Sequence, residues 1–469
     1  MDFRTHRLVD LAAKVRSREL SAREVTEASL ARIEQLDPEL NAFVSVDAER
    51  ALAEAVAIDD RLVNEGGVGL LAGMPLAVKD LEDAEGFPTR YGSVLTSDKP
   101  AHGDSVLVAR LRAAGCVVVG KTTTPEYGHK GVTDSPLSGV TRNPWSVDRS
   151  PGGSSGGSAA ALASGMVPLA TGSDGGGSIR IPSALCGLTS IKTTQGRVPN
   201  GGPTPPGSGL LSVKGPMARR IDDVVFALDV CVGPHPTDPF SLPRSGAPWY
   251  DAMDTKRLPS IVAWSPTLGY AEVDEEIAGI CEAAIERLAE AGAGVEVVDE
   301  VWPADPAAPW YTMWAASRAR TQGHLIGTPE YEQISESLRG QIEAGMGLSA
   351  ADLARSIDAV HELNLQLDAA FERAPLLLTP VCAGHTPVID EGASRYGVVN
   401  GIEVPGWVAF TYGLNMTRNP AGTINVGYTA DGMPVGLQVI GRQRDDLAVL
   451  QALSAMEDVF GTDRVAEID

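Results

Sequence analysis

Apolar positions along the first sixty residues recur at helical spacing. Leu8, Leu11 and Val15 fall on one face, and Val25, Leu30 and Ile33 on another, with the three-to-four-residue period of amphipathic helices. Ser21 followed by Glu24 has the form of a capping box, which predicts that a second helix opens there. From about residue 70 the texture changes. Short apolar runs at 75–78 and 117–119 alternate with helix-period segments such as 105–114, and such alternation is α/β in character. A strand at 261–264, a helix at 274–291 and a strand at 295–298 form a βαβ-like unit. Residues 303–373 read as mostly helical, with breaks near 327–329 and 345–347, where Gly and Pro interrupt the period. Strands at 376–379, 423–426 and 436–440 and a helix over 445–459 close the chain. The Gly- and Pro-rich residues 198–216 predict an ordered loop or lid near a site. No internal repeat and no low-complexity linker interrupts the alternation, so the expected organisation is one large α/β domain.

Charge and composition then remove several function classes. The 469 residues carry 38 basic and 61 acidic side chains, a formal net charge of −23. A basic stripe for phosphates is not expected, and neither is a nucleic-acid partner. Cys116, Cys186, Cys231, Cys281 and Cys382 are scattered, odd in number and without CxxC spacing. Isolated thiols in a reducing compartment fit that pattern. The seven histidines do not gather near them, so no metal site is expected. The N-terminal residues lack the apolar core of a signal peptide, and no run of 18 apolar residues occurs. The expectation is a cytoplasmic protein with no membrane partner.

Candidate chemistry concentrates between residues 150 and 180. Two serine clusters sit inside glycine runs, joined by a small apolar, helix-like segment. Glycine admits positive φ and lets a substrate approach backbone amides. A serine hydroxyl on such a turn, beside a bed of N–H donors, suggests covalent acyl transfer. Two other motifs compete. Gly115 to Thr122 satisfies the phosphate-loop pattern G-x4-G-K-[ST], but the four residues between its glycines, Cys-Val-Val-Val, are strand formers and not a flexible turn. Gly152-x-Ser154-x-Gly156 fits a nucleophile elbow, yet residues 142–148 before it are polar and contain Pro144, where an apolar strand is required. His235, His324, His361 and His385 have no setting that marks a partner for a Ser-His-Asp triad.

Gly152-Gly-Ser-Ser-Gly-Gly-Ser-Ala-Ala followed by Gly172-Ser-Asp-Gly-Gly-Gly-Ser178-Ile-Arg-Ile-Pro-Ser resembles the amidase signature family. Gly73-Met-Pro-Leu-Ala-Val-Lys79-Asp80 looks like that family's lysine motif. Gly215-Pro-Met-Ala-Arg219 and Met433-Pro-Val-Gly-Leu-Gln438-Val-Ile-Gly441 look like its later landmarks. The resemblance implies an α/β/α domain with a central mixed, twisted sheet of about ten or eleven strands flanked by helices. It divides the chain into an N-terminal helical segment (1–65), a catalytic core (70–220), a variable helical region (231–375) and a C-terminal return to the sheet (376–469).

The resemblance also implies a Ser–Ser–Lys triad. Ser178 would be the nucleophile. Ser154 would be the bridging serine beside a cis peptide, with Ser155 as the neighbour one register away. Lys79 would be the base. The backbone amides of Gly175, Gly176, Gly177 and Ser178 would form the oxyanion hole. A serine hydroxyl attacks only when a base takes its proton, and lysine can take it only when burial holds it neutral. Ser173 and Asp174 would brace the loop, and Arg180 would either be structural or bind a substrate carboxylate. Tyr127, Gly128 and His129 sit where family members approach substrate. Trp302, Trp310, Tyr311 and Trp314 either line an apolar pocket or pack in the core.

The implied activity is a stand-alone serine amidohydrolase acting on small amides, aryl amides among them, with esters and carbamates as side substrates and no cofactor. A carbamate-cleaving urethanase of the same family and the glutaminase subunit of a tRNA-dependent amidotransferase stand as alternatives. The segment Trp310-Tyr-Thr-Met-Trp314 does not look like the Tyr-Gly-containing segment of that subunit. The N-terminal helices offer a surface on which a second copy would make a homodimer.

Overall fold

Ser21 caps the second helix as its sequence predicts. Its hydroxyl accepts the Glu24 amide, and the Glu24 carboxylate accepts the Ser21 amide, so Ala22–Leu40 starts with a complete capping box. The helix is seen in a computed structural model that describes all residues except 65, 203–208, 245, 391–392, 462–463 and 469. The expected helical N-terminus resolves into Leu8–Arg16, Ala22–Leu40 and Ala48–Asn64. A four-residue strand, Phe43–Val46, lies between the last two. Its burial fades along its length and does not alternate, so it carries no period-2 signature.

The strands of the two main sheets are, in chain order, β1 (Phe43–Val46), β2 (Pro75–Lys79), β3 (Val117–Thr122), β4 (Leu169–Asp174), β5 (Ser190–Lys192), β6 (Val213–Met217), β7 (Ile261–Trp264), β8 (Gly294–Val297), β9 (Leu376–Pro380), β10 (Ala421–Tyr428) and β11 (Pro434–Gly441). A five-stranded sheet runs β1-β3-β2-β4-β6, and a six-stranded sheet runs β8-β7-β9-β11-β10-β5. This corrects the expectation of one continuous sheet of ten or eleven strands. The chain passes from β5, an edge of the second sheet, to β6, an edge of the first. β5 has three residues, and Pro216 in β6 has no N–H to offer another strand.

Both sheets are mixed. β2 lies parallel to β3 and β4, whereas β1 and β6 pair antiparallel at the two edges. The expected βαβ unit is present: β7 and β8 are parallel, joined by Glu275–Glu290. β8 starts one residue before the expected strand. Helices Ala307–Gln322, Glu336–Met346 and Ala350–Arg373 occupy the region read as helical, with chain breaks between them as the Gly and Pro positions predict. Among the described residues no helix is long and apolar enough to cross a membrane, and all five cysteines are free and buried.

The parallel strands place the site. Lys79 ends β2 and Asp174 ends β4, so the loops that follow these neighbouring strands leave the same edge of the sheet. The C-terminal ends of parallel strands are where open α/β sheets bind ligands. Gly156–Ala163, the segment that looked helix-like, is a helix with every residue buried. Of the residues expected to form a lid, Gly209–Leu211 is a short 3-10 turn and Val213 begins β6; 203–208 lie outside the described residues.

Candidate active site

Lys79 is fully buried at the end of β2, whose five residues are all buried. Its Nζ lies 2.8 Å from Ser154 Oγ, 2.8 Å from Ser155 Oγ and 2.9 Å from Ser173 Oγ. Burial pushes the ammonium down from 10.5 to about 7, while the charges of Asp174 and Glu82 pull the other way. That shift corresponds to about 5 kcal/mol of disfavour for the charged form. A neutral amine has two donors and one lone pair. The Ser155 hydroxyl donates to the Ser173 carbonyl at 3.3 Å, so toward Lys79 it serves as an acceptor. The second N–H and the lone pair are left to the hydroxyls of Ser173 and Ser154, neither of which has another acceptor among the described residues. The geometry therefore separates Ser154 from its neighbour Ser155. The Gly153–Ser154 peptide is cis.

Ser178 follows the triple glycine and is 9 % exposed. Its hydroxyl has no hydrogen-bond partner among the described residues. Two cavities meet there. One, of about 280 Å³, is bordered by Ser154, Ser173, Gly175 and Ser178 together with Tyr127 and the polar side chains of Asn200, Lys214 and Arg318. The other, of about 530 Å³, is aromatic and apolar: Ser178 shares it with Ile181, Trp310, Trp314, Val408 and Tyr412. Gly128 borders both. Its φ is +67°, and a Cβ there would lie 3.1 Å from Ser154 Oγ and 2.8 Å from Leu81 Cδ1, so glycine is what lets this turn pass the serine.

The glycine loop is held from behind. Asp174 is buried against Arg180, with Oδ1 2.9 Å from Nη2 and Oδ2 2.9 Å from Nε. Burial alone would raise this carboxyl, yet the Arg180 guanidinium holds it well below the usual carboxylate range. Arg180 in turn donates to Gln438 and Asn415 at 2.8 and 2.7 Å. Of the two readings of Arg180, the structural one holds. The Gly177 amide donates to Asp174 Oδ1 at 2.7 Å. This corrects the expectation that Gly177 contributes to an oxyanion hole, because a donor committed to a buried carboxylate is not free for substrate. The amides of Gly175, Gly176 and Ser178 donate to no other described residue.

The other expected residues divide. Trp310 and Trp314 border the aromatic cavity and stack at 5.3 Å between ring centroids. Tyr311 is at its rim, whereas Trp302 is fully buried and donates to the Leu363 carbonyl, a core role. Tyr127 borders the polar cavity and stacks on Tyr91 at 5.8 Å. His129 lines the aromatic cavity, but Nδ1 meets the Glu126 carbonyl at 2.8 Å and Nε2 meets Ser337 Oγ at 2.7 Å. Burial pushes its pKa down to about 3, so the ring is neutral and engaged on both sides. Lys121, the phosphate-loop candidate, is buried in β3 with Asp80 Oδ1 at 3.4 Å and the Pro88 carbonyl at 3.1 Å. It faces no phosphate site. Sequence reasoning missed Tyr412, Thr411, Asn415 and Arg318; none sits in a motif, and all reach the site from distant segments.

The family model for Amidase matches residues 24–450. An acylamidase of Rhodococcus erythropolis is 35 % identical over 461 residues, covering 96 % of this chain and 94 % of that protein. An indoleacetamide hydrolase of Bradyrhizobium diazoefficiens is 34 % identical, covering 97 % and 86 %. The crystal structure of a bacterial aryl acylamidase of the amidase signature family superposes with a TM-score of 0.90 at 29 % identity, covering 97 % of this chain and 96 % of that one.

Proposed function

The chain belongs to the amidase signature family of amide C–N hydrolases, and we propose that it cleaves aryl and arylalkyl amides through an acyl-enzyme on Ser178. The observation that carries this reading is the buried Lys79 amine within 2.8 Å of Ser154, beside a cavity that Ser154 shares with Ser178. Neutral Lys79 takes the Ser154 proton as Ser154 takes the Ser178 proton. The relay needs a contact between the hydroxyls of Ser178 and Ser154, which border the same cavity, and such catalytic contacts tighten when substrate binds. Ser178 Oγ attacks the carbonyl carbon, and the oxyanion accepts from the free amides of the glycine loop. Ser154 returns the proton to the departing amine, the C–N bond breaks, and water repeats the sequence on the ester. The serine relay serves esters and carbamates by the same steps.

The aromatic cavity supports an aryl group as the part that selects the substrate. Two of the similar proteins, the indoleacetamide hydrolase and the aryl acylamidase, have names that support this reading. The test is a panel of anilides, phenylacetamides, aliphatic amides, esters and carbamates on the pure chain and on Ser178→Ala. Hydrolysis of anilides by the chain alone, lost in the variant, supports the reading. Activity only toward glutamine in the presence of further subunits would overturn it.

A further inference from the structure

Trp310 does more than line the aromatic cavity. Its indole Nε1 donates to the Gly175 carbonyl at 2.9 Å. The next carbonyl, Gly176, is held by Thr411 Oγ1 at 2.6 Å. In a trans peptide the C=O of one residue and the N–H of the next point in opposite directions. Drawing the Gly175 carbonyl toward the indole therefore turns the Gly176 N–H away from it, and that N–H has no partner among the described residues. Drawing the Gly176 carbonyl toward Thr411 sets the Gly177 N–H, which Asp174 receives at 2.7 Å. Two consecutive peptide planes are thus fixed from outside the loop. The indole also sits so close that a Cβ on Gly176 would lie 2.5 Å from Trp310 Cζ2, so glycine at 176 is what lets the ring reach the carbonyl. Trp310 is in turn held between Trp314 and Tyr412, with ring centroids at 5.3 and 5.4 Å.

We infer that Trp310 is a positioning residue for the reaction: its N–H, by fixing the Gly175–Gly176 peptide plane, aims the Gly176 amide as an oxyanion donor. This rests on the proposed acyl-enzyme on Ser178. The helix Ala307–Gln322 that supplies the substrate wall thereby also sets a donor of the reaction centre, through one side chain. A residue that only lines the wall acts on large substrates alone. A residue that aims an oxyanion donor acts on every substrate, including one too small to reach the ring.

The experiment is Trp310→Phe, which keeps a flat apolar ring and removes the donor, assayed on propionamide and on an anilide. The expected result is a fall in kcat of about tenfold or more on both, approaching the ~100-fold that loss of an oxyanion donor costs, with KM for propionamide within about twofold. Binding of a trifluoromethyl ketone, whose adduct carries the oxyanion, weakens by the same factor. A rise in KM for the anilide alone, with propionamide kcat unchanged, would overturn the inference and leave Trp310 as wall. Gly176→Ala is the second variant should Trp310→Phe not fold: its Cβ, 2.5 Å from Trp310 Cζ2, drives the indole off the Gly175 carbonyl, and undiminished propionamide kcat in it would likewise count against the inference. Ser178→Ala separates the two levels. Full loss there with normal Trp310→Phe sinks only this inference, whereas retained hydrolysis in Ser178→Ala sinks the acyl-enzyme reading and this inference with it.

Discussion

Changing the pH between 8 and 6 perturbs the proposed base without altering a single residue. Burial brings Lys79 to about 7. For a group at that value the neutral fraction is about 0.9 at pH 8 and about 0.1 at pH 6, so kcat/KM for an uncharged anilide falls about tenfold between them. Above pH 8 the rate is flat. A solvent-exposed lysine near 10.5 would give a different curve, climbing about 100-fold over the same interval with no plateau. Asp223, pushed up to about 6, Glu457, up to about 7, and Lys192, down to about 7, all by burial, titrate in the same window. Their effect is on folding. Asp223 and Glu457 keep protons that the unfolded chain releases, so their contribution to stability falls as pH rises from about 4 to their folded values. Lys192 lacks a proton that the unfolded chain binds, so its contribution rises from about 7 to 10.5. Thermal melting at each pH, run beside absorbance assays of anilide release in overlapping buffers, separates these from the rate. A profile still climbing beyond pH 9 would refute a neutral, buried Lys79, as would one flat from pH 5.5 to 9 with the fold intact.

Lys79→Ala abolishes anilide hydrolysis, and activity recovered at alkaline pH would mean another base. Ser154→Ala lowers kcat by about 10²–10⁴, the range for losing a proton-transfer group. Ser155→Ala lowers it less, since that hydroxyl points at the Ser173 carbonyl; the reverse order would exchange their roles. Asp174→Asn leaves the Arg180 charge buried without its carboxylate and costs about 3–5 kcal/mol in denaturant unfolding. A loss under about 1 kcal/mol would show that Gln438 and Asn415 hold Arg180 by themselves. Gly128→Ala strains a φ of +67° and crowds Ser154, so kcat falls while the apolar cavity still binds an aryl inhibitor; wild-type kcat would show that the turn relaxes freely.

The reach of the sequence differs between parts of this molecule for physical reasons. Helix caps and apolar periods are local, and so Ser21, the βαβ unit and the final helix Asp446–Phe460 are legible within a residue or two. β4 is not. Its sequence, Leu-Ala-Thr-Gly-Ser-Asp, has no alternation and a single β-branched residue, Thr171, and it is a strand because it is buried between β2 and β6. The serine clusters and Lys79 stand out because glycine runs and a motif surround them. What each atom meets there is set from far away. Ser173 supplies Lys79 with a third hydroxyl across the sheet, and Arg180 is anchored by Asn415 and Gln438, 235 and 258 residues later. The Gly177 amide shows the same limit. Sequence places it in a row of four equivalent donors, but Asp174, three residues before it, closes onto that one N–H.

The central claim is that Ser178 carries the acyl group, and active-site labelling tests it most directly. Treat the protein with an arylsulfonyl fluoride, weigh it intact, and map the modified peptide. A single adduct on Ser178, absent from Ser178→Ala and slowed below pH 7 along with the loss of neutral Lys79, is the predicted result. An adduct on Ser154 or Ser155, or one of equal yield in Ser178→Ala, contradicts it.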